Sequence, residues 1–183
     1  MAENIYYLPG WGGQLSTGLG QGLRDRGFSV MGRESRGQFN ELPFLERVNL
    51  IASDLEEHFW TARSKVVANS FGGYLLLNAL PQLSPYVGRI LLLSPIIGAF
   101  ENEARGRVFQ PPYSKRLGEM LSTGRIPRPS HIKVHTGSED WQSSPTEVTD
   151  FFAKLGVTVT IVEGRGHMLG ADYVGGLLDS WLS

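Results

Sequence analysis

The stretch Val66-Val67-Ala68-Asn69-Ser70-Phe71-Gly72-Gly73 constrains this chain more than any other. A β-branched apolar run ends in one serine between small residues, and a helical apolar pattern follows. Such a string suits a strand that turns sharply into a helix and leaves one hydroxyl exposed, a nucleophile elbow. The turn strains the serine and draws together the residues two before and two after it. Both must then be small, and here they are Ala68 and Gly72. A buried serine at an ordinary strand–helix junction fits the same eight residues.

A serine hydroxyl is a poor nucleophile until a base takes its proton, and the base needs an orienting carboxylate. Ile132 to His135 reads as a strand running into Thr136-Gly137-Ser138-Glu139-Asp140. Val157 to Val162 alternates at period two and is followed by Glu163-Gly164-Arg165-Gly166-His167. Asp140 and His167 thus fall on polar loops at the carboxyl ends of strands, where open α/β sheets gather ligands. Their order, serine then acid then histidine, is that of elbow hydrolases. Near the start, Ile5 to Leu8 predicts a strand leading into Pro9-Gly10-Trp11-Gly12-Gly13. A Gly-rich loop there suits the delivery of backbone N–H groups to a developing oxyanion. The expected donors are Trp11 and the residue after the serine, Phe71. A plain Gly/Pro turn fits the loop as well.

Taken together, these elements resemble a minimal, lidless α/β-hydrolase. The chain is similar to the small serine hydrolases of the retinoblastoma-binding-protein and YdeN-like group, from Ile5 to Trp181. It departs from the usual pattern at Ala68, where Gly is common, and at Pro9, where many relatives carry His. The resemblance implies that Asp140, at the end of a Gly-x-x-Asp turn from Gly137, is the acid rather than Glu139. It also implies a sheet order of 2-1-3-4-5-6, with the switch point between the first and third strands.

The 183 residues, 41% hydrophobic and 19% charged, predict a single α/β-hydrolase domain over 1–183. A net charge of −1 argues against nucleic-acid or membrane binding. Without cysteine there is no disulfide, thiol nucleophile or Cys-based metal site. Four histidines without H-E-x-x-H spacing predict no metal, and no G-x-G-x-x-G follows the first strand, so no cofactor is expected. The N-terminus lacks a signal-peptide pattern and Ile90 to Leu93 is too short to span a bilayer, which fits a cytoplasmic protein.

Strand and helix patterns alternate throughout. Leu15, Leu19 and Leu23 mark one helix face; Phe44, Val48, Ile51, Leu55 and Phe59 mark another. Ser144-Pro145-Thr146-Glu147 is a capping box with Pro at the first helical position. Alternation of this kind predicts a doubly wound, mostly parallel six-stranded sheet with helices on both faces. The segment 95–130 breaks the pattern. It carries five prolines and a basic excess, Arg105, Arg107, Lys115, Arg116, Arg125 and Arg128 against Glu101, Glu103 and Glu119. The expectation is a short excursion of one or two helices in place of a cap domain. Its charge fits a rim for an anionic or carrier-bound substrate, and it equally fits a solvated surface.

The sequence therefore predicts a serine hydrolase of carboxylic esters, thioesters or small amides. Ser70, Asp140 and His167 carry the chemistry, and Trp11, Phe100, Arg105, Arg107 and Phe109 line the substrate side. An acyltransferase using the same residues, or a partner-binding protein on this fold, remains open at this level.

Overall fold

The computed structural model describes residues 3–83, 85–102, 104 and 106–183. Six strands form the central sheet: β1 (Asn4–Leu8), β2 (Ser29–Gly32), β3 (Lys65–Asn69), β4 (Arg89–Leu93), β7 (His131–Gly137) and β8 (Val159–Val162). Their order is β2-β1-β3-β4-β7-β8, and every pairing is parallel. The order in which strands are added reverses at β1, so the ends of β1 and β3 border the switch-point crevice.

Parallel strands need crossovers, and helices supply them on both faces. Residues alternate between two cores. Tyr6, Leu8, Val66, Ala68, Ile90 and Leu92 face α3 (Phe44–His58), α4 (Phe71–Ala79) and α6 (Pro145–Ala153). Ile5, Tyr7, Val67, Leu91 and Leu93 face α1 (Gly18–Arg24) and α7 (Ala171–Leu182). Burial on both faces explains why β3 and β4 read as continuous apolar runs. Each fully buried Leu or Val here stabilises by about 1.5–3 kcal/mol relative to exposure. All nine residues of α4 are buried, as a helix apolar on every side requires. At the Ser144 cap the hydroxyl accepts from Glu147 N–H at 3.5 Å, and Pro145 opens α6.

Two features were not anticipated. A short helix α2 (Gly37–Glu41) precedes α3. The 95–130 excursion holds one helix, α5 (Arg116–Ser122), and also an antiparallel hairpin of β5 (Phe100–Asn102) and β6 (Arg107–Phe109). Its start is fastened to the sheet end, with Ile96 N–H donating to Ser70 O at 3.1 Å and Ser143 Oγ to Pro95 O at 2.6 Å. Its far leg is fastened to α4, where Tyr74 Oη lies 2.8 and 2.9 Å from the carbonyls of Pro112 and Tyr113.

Candidate active site

Ser70 stands between the last residue of β3 and the first of α4, with φ +52° and ψ −122°. A non-glycine residue there is strained by about 1–3 kcal/mol. The backbone holds it in place: Ser70 N–H donates to Leu93 O at 3.0 Å, and Ser70 O accepts from Tyr74 and Ile96 N–H. Gly72 is required for a reason other than the expected one. A Cβ on Gly72 would lie 2.0 Å from Leu8 O and 2.7 Å from Pro9 O. The elbow is pressed against the end of β1, and Ala68 is not the neighbour that forbids a side chain. Gly10 closes the same gap from the other side, since a Cβ there would sit 3.1 Å from Ser70 Cβ.

Ser70 occupies the N-cap position of α4 but its hydroxyl caps nothing; Oγ lies 2.8 Å from His167 Nε2. His167 Nδ1 lies 3.0 Å from both oxygens of Asp140. An ionised carboxylate only accepts, so Nδ1 carries the ring proton and Nε2 is free to accept from Ser70. Asp140 is 1% exposed. Burial of that carboxylate is offset by Gln142 and Ser143 N–H, each 2.9 Å from Oδ1. The adjacent Glu139 is exposed to solvent and its backbone N–H instead donates to Arg165 O at 2.9 Å.

That last bond is part of a seam between the loops after β7 and β8. Ser138 N–H donates to Val162 O at 3.0 Å, and Gly164 N–H to Ser138 Oγ at 2.9 Å. A Cβ on Gly137 would lie 2.1 Å from Arg165 O, so the seam admits only glycine. Main-chain bonds thus hold the loop that carries Asp140 against the loop that carries His167.

The loop after β1 turns at Gly10–Gly13, closed by Gly13 N–H to Gly10 O at 2.9 Å. Trp11 stands in this turn and Phe71 in the first turn of α4, where a backbone N–H has no helical acceptor. Around them the structure gathers Phe100 and Phe109, directly opposite each other across the hairpin. It adds Trp141, which sequence reasoning missed although it follows Asp140 directly; its ring meets Phe100 at 5.6 Å. Arg107 shares the hairpin with Phe109 and is exposed. Arg105 lies outside the described residues. The remaining basic side chains disperse: Arg125 Nε donates to Thr123 Oγ1, and Arg128 lies beside Gly156. Lys115 and Arg116 line a separate cleft of about 550 Å³ with Tyr113 and Glu119. Among the described residues, no group of three or more His, Cys, Asp or Glu is placed to hold a metal. No described helix is long and apolar enough to cross a membrane.

Solved structures share this architecture. Carboxylesterase CesB from Bacillus subtilis superposes with a TM-score of 0.69 at 16% identity, over 99% of this chain and 84% of that one. The monoacylglycerol lipase of Paleococcus ferrophilus gives 0.69 at 14%, over 98% and 93%. The chain has the α/β-hydrolase fold. A YdeN-like hydrolase from Pectobacterium atrosepticum, at TM-score 0.61 and 14% identity, covers 98% of this chain and 91% of its own. No protein-family model matches the sequence, and no curated protein matches it. Within the α/β-hydrolase fold, a short excursion replaces a cap domain here, spanning the place between β4 and β7.

Proposed function

We propose that this chain is a serine hydrolase cleaving a carboxylic ester or thioester through an acyl-enzyme on Ser70. The observation that carries the reading is the unbroken relay from Ser70 Oγ to His167 Nε2 at 2.8 Å and from His167 Nδ1 to Asp140 at 3.0 Å, on a serine held at φ +52°. Esterases and lipases among the solved structures of this fold support it.

Ser70 Oγ attacks the carbonyl carbon while its proton passes to His167 Nε2. Asp140 orients the ring and stabilises the imidazolium. The carbonyl oxygen becomes an oxyanion, and the N–H groups of Trp11 and Phe71 are the donors that meet it, aided by the N-terminus of α4. The tetrahedral intermediate collapses as His167 returns its proton to the leaving oxygen or sulfur. Water, deprotonated by the same imidazole, attacks the acyl-enzyme and releases the acid and the free serine.

A fluorophosphonate probe tests this reading by phosphonylating an activated serine. Wild type is expected to gain the mass of the phosphonyl group and Ser70→Ala to gain none. An unlabelled wild type, or equal labelling of both proteins, would overturn it.

A further inference from the structure

Five aromatic rings pack in one continuous row that includes Phe71, the residue after Ser70. Trp11 meets Phe71 with 5.0 Å between centroids and reaches Phe109 at 6.3 Å. Phe109 stacks on Phe100 at 5.0 Å, and Phe100 meets Trp141 edge-on at 5.6 Å. The row begins on the loop after β1, crosses the hairpin and ends on the loop after β7. Two of its members are covalent neighbours of the relay: Phe71 follows Ser70 and Trp141 follows Asp140.

The rings play different parts. Phe71 is buried and packs edge-on against Trp11 and Phe109. Phe100, Phe109 and Trp141 are half-buried, and Trp11 is 58% exposed. Trp11 meets Phe71 and Phe109 at interplanar angles of 67° and 76°, contacts that brace the indole while leaving over half of it to solvent. A rigid ring with two side-chain torsions is ordered at little entropic cost when a ligand lands on it. Val108 is paired with Glu101 on the opposite face of the hairpin, away from Phe100 and Phe109.

A straight acyl chain gains from a groove of adaptable aliphatic side chains. A planar π group gains from ring faces and edges, and each such pair contributes roughly twofold to tenfold in binding beyond the area it covers. We infer that the site is selective for esters bearing an aryl group, which packs against Trp11 and Phe109. This rests on the hydrolase reading for its chemistry but not for its binding. An aryl group could arrive on the acyl or on the alcohol side of the ester, because the row reaches both the Trp11 loop and the acid loop.

Two matched pairs separate those sources. Ethyl 3-phenylpropanoate against ethyl 3-cyclohexylpropanoate places the ring on the acyl side; 2-phenylethyl acetate against 2-cyclohexylethyl acetate places it on the alcohol side. Buried area alone favours the bulkier cyclohexyl compound in each pair. The expected result is kcat/KM about threefold or more higher for the phenyl member in at least one pair. That ratio should fall to one or below in Trp11→Leu and in Phe109→Leu, which keep apolar bulk. A ratio at or below one in both pairs overturns the inference, as does a ratio that neither variant changes. Calorimetric titration of Ser70→Ala with the same compounds reads binding without turnover. Tighter binding of a phenyl member supports the inference even if the fluorophosphonate test fails. Equal affinities in both pairs overturn it even if that test succeeds.

Discussion

The loops that carry Ser70, Asp140 and His167 and the excursion that crosses their mouth are built by different physics. At the strand ends, main chain presses on main chain. Gly72 packs on Leu8 O and Gly137 on Arg165 O, and backbone bonds seam the β7 and β8 loops together. In the excursion, side chains do the holding: Phe100 on Phe109, Phe109 on Trp11, and the Tyr74 hydroxyl on two carbonyls. Backbone packing admits few sequences and fixes atoms closely, which suits proton transfer. Ring packing tolerates substitution and reshapes the surface, which suits substrate choice. On this account, changes at the strand ends should act on kcat, and changes in the excursion on KM.

The largest effect tests the first half of that contrast. Ser70→Ala or His167→Ala should lower kcat by roughly 10⁶-fold, the scale known for a protease triad. Removing both should cost little more than removing one, because they act as a unit. A multiplicative loss in the double variant would show two independent roles. Next comes the choice between neighbouring carboxylates. Asp140→Asn should cost on the order of 10⁴-fold in kcat by favouring the wrong imidazole tautomer, as in the protease triad. Glu139→Gln should stay within about twofold, since Glu139 faces solvent. Steady-state kinetics on p-nitrophenyl acetate reads all five variants, and the reverse ranking of Asp140 and Glu139 would break the assignment.

The two regions also differed in how far the sequence revealed them. The elbow was legible because sharp turns and close backbone approaches demand small residues, and these stand out at Gly10, Ala68, Gly72 and Gly137. The physical cause was still misread at Gly72, whose neighbour is β1, a contact no local pattern encodes. The sheet order was legible through the resemblance, and its strands through apolar runs and alternation. The hairpin was not, because three-residue strands carry too little periodicity to register. Phe100 and Phe109 were picked as isolated aromatics, and only cross-strand pairing makes them a unit. Trp141 has no sequence signal beyond its place after Asp140, and only its ring contact with Phe100 marks it. The basic excess of 95–130 was a feature of composition, and among the described residues its charges disperse: Arg125 bonds Thr123, and Arg128 lies beside Gly156.

An intermediate effect concerns the frame beneath the acid loop. His135 on β7 is buried against Tyr173, its Nδ1 2.8 Å from the phenol oxygen, and its Nε2 has no hydrogen-bond partner among the described residues. Burial first, then the charge of Lys133, pushes its imidazole from 6.5 down to about 4. The unfolded chain therefore binds the proton more readily between those values. Stability is complete above about pH 6.5 and is lost as pH falls towards 4. Relative to His135→Gln, wild type should lose roughly 2 kcal/mol more between pH 7 and pH 4.5 in urea unfolding. Parallel losses in the two proteins would remove His135 as the acid-sensitive element of the frame.

The smallest effect sharpens the second half of the contrast. Tyr74 is fully buried on α4, one turn from Ser70, and its single hydroxyl proton is shared between the carbonyls of Pro112 and Tyr113. Tyr74→Phe keeps the ring and its stack on Phe71 but cuts this tether, at a cost of about 1–2 kcal/mol. The cost falls on a leg whose Tyr113 already holds φ +57°, so that leg should loosen before the elbow does. Phe109 sits three residues upstream and should lose its fixed place against Trp11. A small ester without an aryl group, such as ethyl acetate, needs only the relay, and its kcat should stay within about twofold. An aryl ester that uses the ring row should show KM raised by about three- to fivefold. Hydrogen exchange should quicken at the amides of 107–113 while those of α4 stay protected. If kcat fell equally for both esters, the tether would be positioning Ser70 itself, and the division of labour between strand ends and excursion would not hold.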